Sequence, residues 1–182
     1  ISQLKEMAKT LAIYHKLISK MKIKKVRWDD SWLFDKYSKM SQITPKNKID
    51  KLMMENIDFF RNCLKKVAYL NLNEHVLVNH SDFHKHNLLF EGNKVKAVLD
   101  FDNVLIAPRM RDVAYFIGHA CLIKSRINES WENAFLHEYE KISPLSKKEK
   151  EMIIPIMIRD KCVLFWWFYT EMKKKSIKGI FI

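Results

Sequence analysis

Between Leu4 and Met21 the apolar residues Leu4, Met7, Ala8, Leu11, Tyr14, Leu17, Ile18 and Met21 recur at three- and four-residue steps. That is the spacing of a helix with one buried face, so "KEMAKTLAIYHKLISK" is expected to be an amphipathic helix. The next segment, "VRWDDSWLFDKYSKMSQ", has no clean period, and its three Asp and two Trp predict an irregular connection with aromatic anchors. Thr44 followed by Pro45 reads as an N-cap and a first helical residue. Ile49, Leu52, Met53, Ile57, Phe60, Leu64 and Val67 then carry a second helix to about Tyr69.

The period changes at "HVLVNH", which is short, apolar and β-branched and predicts a buried strand running into the polar loop "SDFHKHN". "LLFEGNKVKAVLDFD" then predicts a hairpin turning at Gly92-Asn93, with Val95, Ala97 and Leu99 alternating against Lys94 and Lys96. Beyond "IAPRMRD" the pattern is helical again through "VAYFIGHACLI", "SWENAFLHEYEKI" and "SKKEKEMIIPIMIRDKCVLFWWFYTEMKKK". No repeat or low-complexity linker divides the chain. Residues 1–182 therefore read as a single, mainly α domain (α+β) with a small β-hairpin.

A chain of 182 residues with 48% hydrophobic positions can build a core. The formal net charge of +12 is spread in short clusters such as "KIKKVR", without basic-aromatic interleaving, so nucleic acid is not the expected partner. The apolar runs "MIIPIMI" and "CVLFWWFY" are separated by Arg159, Asp160 and Lys161, so no membrane span is expected. Cys63, Cys121 and Cys162 are odd in number and widely spaced, which disfavours a disulfide framework or a zinc ribbon and suits a reducing cytoplasm.

The chemistry is concentrated between Val76 and Asn103, which hold three Asp and three His. The residues alone leave two readings open. His80, Asp82, His84 and His86 alternate and would share one face of an extended strand, a zinc-like set. Alternatively, Asp82 and Asn87, with four residues between them, provide a base and a metal-binding amide on one loop, while Asp100 on the following strand supplies a carboxylate. Those are the parts of a phosphoryl-transfer site using Mg²⁺.

"HSDFHKHNLLF…VLDFDNVLIAPRMRDVAYF" resembles the signature of the aminoglycoside phosphotransferase and choline kinase-like family, whose usual form is HGDxHxxN, a strand ending IDFD, a loop and DLA. "MAKTLAIYHKLI" is similar to the helix that opens that family's C-terminal lobe. The resemblance implies the C-terminal lobe of a protein-kinase-like phosphotransferase, an ATP- and Mg²⁺-dependent kinase acting on a small-molecule hydroxyl such as an aminoglycoside, choline or homoserine. It implies that Asp82 is the catalytic base, that His84 touches the transferred phosphoryl group, and that Asn87 and Asp100 hold Mg²⁺ against the ATP phosphates, with Asp102 supporting the metal. It also implies that His80 braces the loop, and that Asp112 caps the following helix and ties the loop down. His15, His86 and His119 read as packing or surface residues, and Trp166 and Trp167 as core or as the wall of an acceptor pocket.

Ser81 stands where the family has glycine, which is compatible with a negative φ at that position. The family's N-terminal lobe, with its ATP-covering loop and lysine, has no counterpart expected in a chain with three glycines whose first helix starts near residue 3. A complementary lobe, or self-association through the face that lobe would cover, is expected to complete the site. The alternative function is a degenerate lobe serving as a non-catalytic binding or regulatory module.

Overall fold

The computed structural model describes residues 1–21, 32–42, 44–67 and 74–174. They fall into two compact units, Ile1–Trp28 with Asn71–Ile156, and Asp29–Leu70 with Met157–Ile182.

The first unit is built on helix α1 (Ser2–Ile18), which buries Leu4, Met7, Ala8 and Leu11 as predicted, with Ala12 and His15 in addition, whereas Leu17 and Met21 of the predicted face are exposed. The helix packs along α5 (Glu129–Glu140), which contributes buried Phe135 and Tyr139. Asn128 starts α5 by accepting the Trp131 backbone N–H through its side chain, an N-cap that satisfies one of the free donors of the first turn. Phe135 stacks on Phe116 at 4.3 Å, and Phe116 lies 6.1 Å from Phe83 in the polar loop. Burying one such side chain stabilises a fold by roughly 1.5–3 kcal/mol. The loop is therefore anchored from beneath by an aromatic stack.

Two short antiparallel ladders flank that loop. Strand β1 (Val76–Asn79) pairs with β4 (Leu105–Pro108), Asn79 facing Leu105. Strands β2 (Leu88–Glu91) and β3 (Lys94–Val98) form the expected hairpin, with a register shift at Leu89/Phe90. Gly92 turns it at φ +58, a left-handed conformation that favours glycine. Helix α4 (Met110–Phe116) follows β4 and passes through a π turn at Ile117–Cys121 into a two-residue hairpin, β5 (Leu122–Ile123) with β6 (Arg126–Ile127). The sequence period predicted helix as far as Ile123, across β5. Lys124 and Ser125, both at positive φ, turn the chain instead. Helix α6 (Lys147–Glu151) opens with a capping box between Ser146 and Glu149. A turn at Met152 separates it from α7 (Ile153–Lys173), so the single long helix expected there is two.

In the second unit, α2 (Trp32–Met40) occupies part of the segment expected to be irregular and buries Leu33, Tyr37 and Met40. Residues 26–31 of that segment lie outside the described residues. Helix α3 (Lys48–Val67) begins later than Thr44-Pro45 suggests, because Asn47 accepts the Asp50 N–H at 2.8 Å while Asp50 accepts that of Lys46 at 3.0 Å. These helices and α7 enclose Leu33, Tyr37, Met53, Ile57, Leu64, Cys162 and Tyr169. Trp166 packs on Tyr37 and belongs to this core, whereas Trp167 is half exposed beside Phe168. Beneath them Asp50 binds Lys173 at 2.8 Å and Tyr169 at 3.0 Å. The bond from Lys173 leads the causes that hold this carboxyl below its ordinary value against its burial.

Among the described residues no helix is long and apolar enough to cross a membrane. The three cysteines are unpaired, and burial pushes the Cys121 and Cys162 thiols up to about 11 and 12.

Candidate active site

The loop after β1 is held by one carboxylate. Asp112, fully buried on the first turn of α4, accepts the His80 N–H through Oδ2 and the Ser81 N–H through Oδ1, each at 2.7 Å. Its own N–H donates to the Asn79 side chain at 3.2 Å, and Asn79 in turn donates to the Ala107 carbonyl at 2.8 Å. Asp112 thus ties the loop down as expected, although the N-cap position of α4 is Arg109 and not Asp112.

His15 is buried and does more than pack. Its Nε2 donates to Asp112 Oδ2 at 3.1 Å, and its Nδ1 accepts the Tyr139 hydroxyl at 2.6 Å; the tautomer follows because a carboxylate can only accept. Burial first, and then the charge of Asp112, push the Tyr14 phenol up to about 12. A buried charge at Asp112 is accommodated because two amides and an imidazole donate to it.

Ser81 adopts φ +69, so the negative φ compatible with serine at this position is not what the chain adopts. The pull of Asp112 on two successive N–H groups accompanies this left-handed turn, and the Ser81 hydroxyl is buried without a hydrogen-bond partner among the described residues. His80 braces the loop: its Nε2 donates to the Leu99 carbonyl at 2.9 Å and its Nδ1 accepts the Asp82 N–H at 3.3 Å. Both ring nitrogens are therefore engaged. Among the described residues no group of three or more His, Cys, Asp or Glu is placed to share a metal ion, so the alternating histidines do not assemble a zinc site.

Asp82 lies half-buried at the end of this turn with both oxygens engaged. Tyr115 on α4 donates its hydroxyl to Oδ1, and Asn87 Nδ2 donates to Oδ2 at 3.0 Å. His84 Nε2 lies 3.3 Å from Oδ1. Asn87, at the end of the 3₁₀ turn Lys85–Asn87, also donates to the Asp82 carbonyl at 2.9 Å. With its amide nitrogen committed twice, its oxygen is the atom left for a cation. The Leu99 N–H donates to the Asn87 carbonyl at 2.8 Å, which brings the end of β3 to the loop. Asp100 comes next in sequence, exposed and at φ +60, a conformation aspartate tolerates better than most residues. An amide oxygen and an exposed carboxylate are hard donors of the kind Mg²⁺ takes. Asp102 sits on an exposed turn two residues further, with no hydrogen bond to this cluster among the described residues.

Tyr115 was not among the residues singled out from the sequence. The available signal was its place three residues after Asp112 on one helix, hence on the same face.

These features define a kinase-like C-terminal lobe: a braced Asp-x₄-Asn loop, a hairpin, and an aspartate at its exit. A model described as the phosphotransferase enzyme family matches residues 2–149, and the chain belongs to that family. It is 31% identical over 99 residues to a homoserine kinase of Neisseria meningitidis serogroup B (strain ATCC BAA-335 / MC58), covering 53% of this chain and 32% of that protein. Its fold is similar to that of the streptomycin-ATP-APH(2″)-IIa ternary complex, with a TM-score of 0.57 at 16% identity, covering 97% of this chain and 61% of that one. The chain thus spans about a third of the curated relative and less than two thirds of the solved one.

Proposed function

We propose that this protein transfers the γ-phosphoryl group of ATP to a hydroxyl of a small molecule, with Asp82 as base. The observation that carries the reading is the clamp on Asp82: Tyr115 and Asn87 fix one oxygen each, and Asn87 is hydrogen-bonded through its backbone to Leu99, the residue before Asp100. Orientation of this kind matters because phosphoryl transfer is catalysed largely by positioning and charge neutralisation. In the step, the acceptor oxygen bonds to the γ-phosphorus as the bond to the bridging oxygen of ADP breaks. The hydroxyl proton passes to the Asp82 carboxylate. Asn87 Oδ1 and Asp100 would hold Mg²⁺, with Asp102 in support; the ion supplies neutralisation of charge on the phosphate oxygens. His84, whose Nε2 is 3.3 Å from Asp82 Oδ1, would contact the phosphoryl group in flight.

Leu89, Leu99, Phe101 and Val104 expose apolar surface around the hairpin. A complementary lobe or a second copy resting there would close the nucleotide site, and the proposed setting is the cytoplasm, where unpaired thiols persist. The test is ADP formation from Mg-ATP with a panel of alcohols, using this chain and the longest form its reading frame encodes. Acceptor-dependent turnover lost in Asp82→Asn supports the reading, and turnover unaffected by that change contradicts it.

A further inference from the structure

Next to Asp82 the first unit opens into a cleft of about 550 Å³, within the range of small-molecule sites. Its polar lining is Gln3, His84, Lys85, His86 and His119, and Phe90 and Trp131 contribute to its apolar wall. Two links join it to the base. His84 reaches Asp82 directly at 3.3 Å, and His119 stacks at 4.2 Å on Tyr115, which donates to Asp82. The three imidazoles form one group, with His84 centred 5.6 Å from His86 and 6.2 Å from His119. Among the described residues no carboxylate lines the cleft, and none is paired with Lys85.

Resting on the phosphotransferase reading above, we propose that this cleft is the acceptor subsite and that it takes a hydroxyl compound bearing an anionic group, a carboxylate or a phosphate. An ammonium held at the Lys85 end loses hydration and meets like charge, with no carboxylate among the lining residues, a cost that only a paired partner offsets. An anion meets the Lys85 ammonium, whose hydrogen bonds to an anion belong to the stronger, charge-assisted class, and beside it the ring of His86. The Phe90 and Trp131 side would accept a short apolar body. Lys85 sits two residues before Asn87, so an acceptor held by its anionic end at Lys85 lies within one small-molecule length of Asp82. Polycationic acceptors fit the same cleft by volume but not by charge.

The experiment compares glycerate and glycerol 3-phosphate with choline and streptomycin, reading ADP release and, independently, binding heats. Expected is a kcat/KM at least about tenfold higher for one or both anionic probes. The acceptor KM should rise at least about tenfold in Lys85→Glu and recover in Lys85→Arg, which a merely structural role for Lys85 would not produce. Preference for glycerate over glycerol 3-phosphate would identify the group as a carboxylate, and the reverse as a phosphate. Equal or better use of the cations, or an acceptor KM unmoved by Lys85→Glu, overturns the proposal. Absence of ADP with every probe would count against phosphotransfer, and the binding heats would still decide the acceptor class: anionic probes bound and lost in Lys85→Glu support it, cationic probes bound instead overturn it.

Discussion

His15 and Asp112, 97 positions apart in the sequence, meet at 3.1 Å with both side chains fully buried. Asp112 passes that contact to the backbone of the loop carrying Asp82, so a helix at the start of the chain helps to set the geometry of the proposed base. Replacing Asp112 with Asn presents an N–H₂ where two loop amides and an imidazole now find only acceptors. Asp112→Asn is expected to lose about 2–4 kcal/mol of stability, the scale for breaking a buried charged network, and to lower turnover further than unfolding alone explains. Urea unfolding alongside single-temperature kinetics checks this, and wild-type values in both would contradict the bracing role.

Ser81 offers a change in the opposite direction. Its left-handed φ and its buried hydroxyl, without a partner among the described residues, are both unfavourable, and glycine removes both. Ser81→Gly is expected to stabilise the protein by about 1 kcal/mol, raising Tm by roughly 2–4 °C for a chain of this size. A lower Tm in differential scanning calorimetry would mean that the hydroxyl does work in the fold that its surroundings do not reveal.

Acid sensitivity should centre on Glu149. Burial works to raise this carboxyl, but hydrogen bonds from Arg109, the Ser146 N–H and His75, with the charge of Arg109, outweigh it and bring the group down to about 2 from an ordinary 4.5. A depressed folded-state value means that the stabilisation is fully present above about pH 4.5 and is lost as pH falls toward 2. Glu149→Gln should therefore be less stable than the parent at pH 7, and the gap should narrow between pH 4.5 and 2. A pH-independent difference in chemical denaturation would argue against this assignment.

The exposed quartet Leu89, Leu99, Phe101 and Val104 predicts association. At tens of micromolar the chain is expected to sediment as a dimer or larger, and Leu89→Ser with Phe101→Ser should shift it toward monomer. A monodisperse wild-type monomer would remove self-association as the way this face is covered.

The loop "HSDFHKHN" and the hairpin after it were legible in the sequence because their chemistry demands particular residue types at fixed spacing. The α1 face was legible from Leu4 to Leu11, where the apolar period coincides with burial; beyond it the same period runs on to Leu17 and Met21, which are exposed. Helix α2 was not, since Trp32–Met40 completes too few turns for Leu33, Tyr37 and Met40 to establish a period. Strands β4, β5 and β6 have only two to four residues, too few to display alternation. The turn at Ser81 and the role of His15 depend on Asp112, 31 and 97 positions away, and no local pattern carries such information. Tyr115 was hidden for a related reason: its partner Asp82 is 33 positions away.

The most direct test of the central claim is Asp82→Asn, assayed for turnover and for Mg-ATP affinity in the same preparation. General-base and positioning functions are typically worth about 10² to 10⁴ in rate. The account predicts a fall of that size in acceptor-dependent ADP formation, with folding by circular dichroism and nucleotide affinity by calorimetry changed less than about threefold. Wild-type turnover in the folded variant would contradict it.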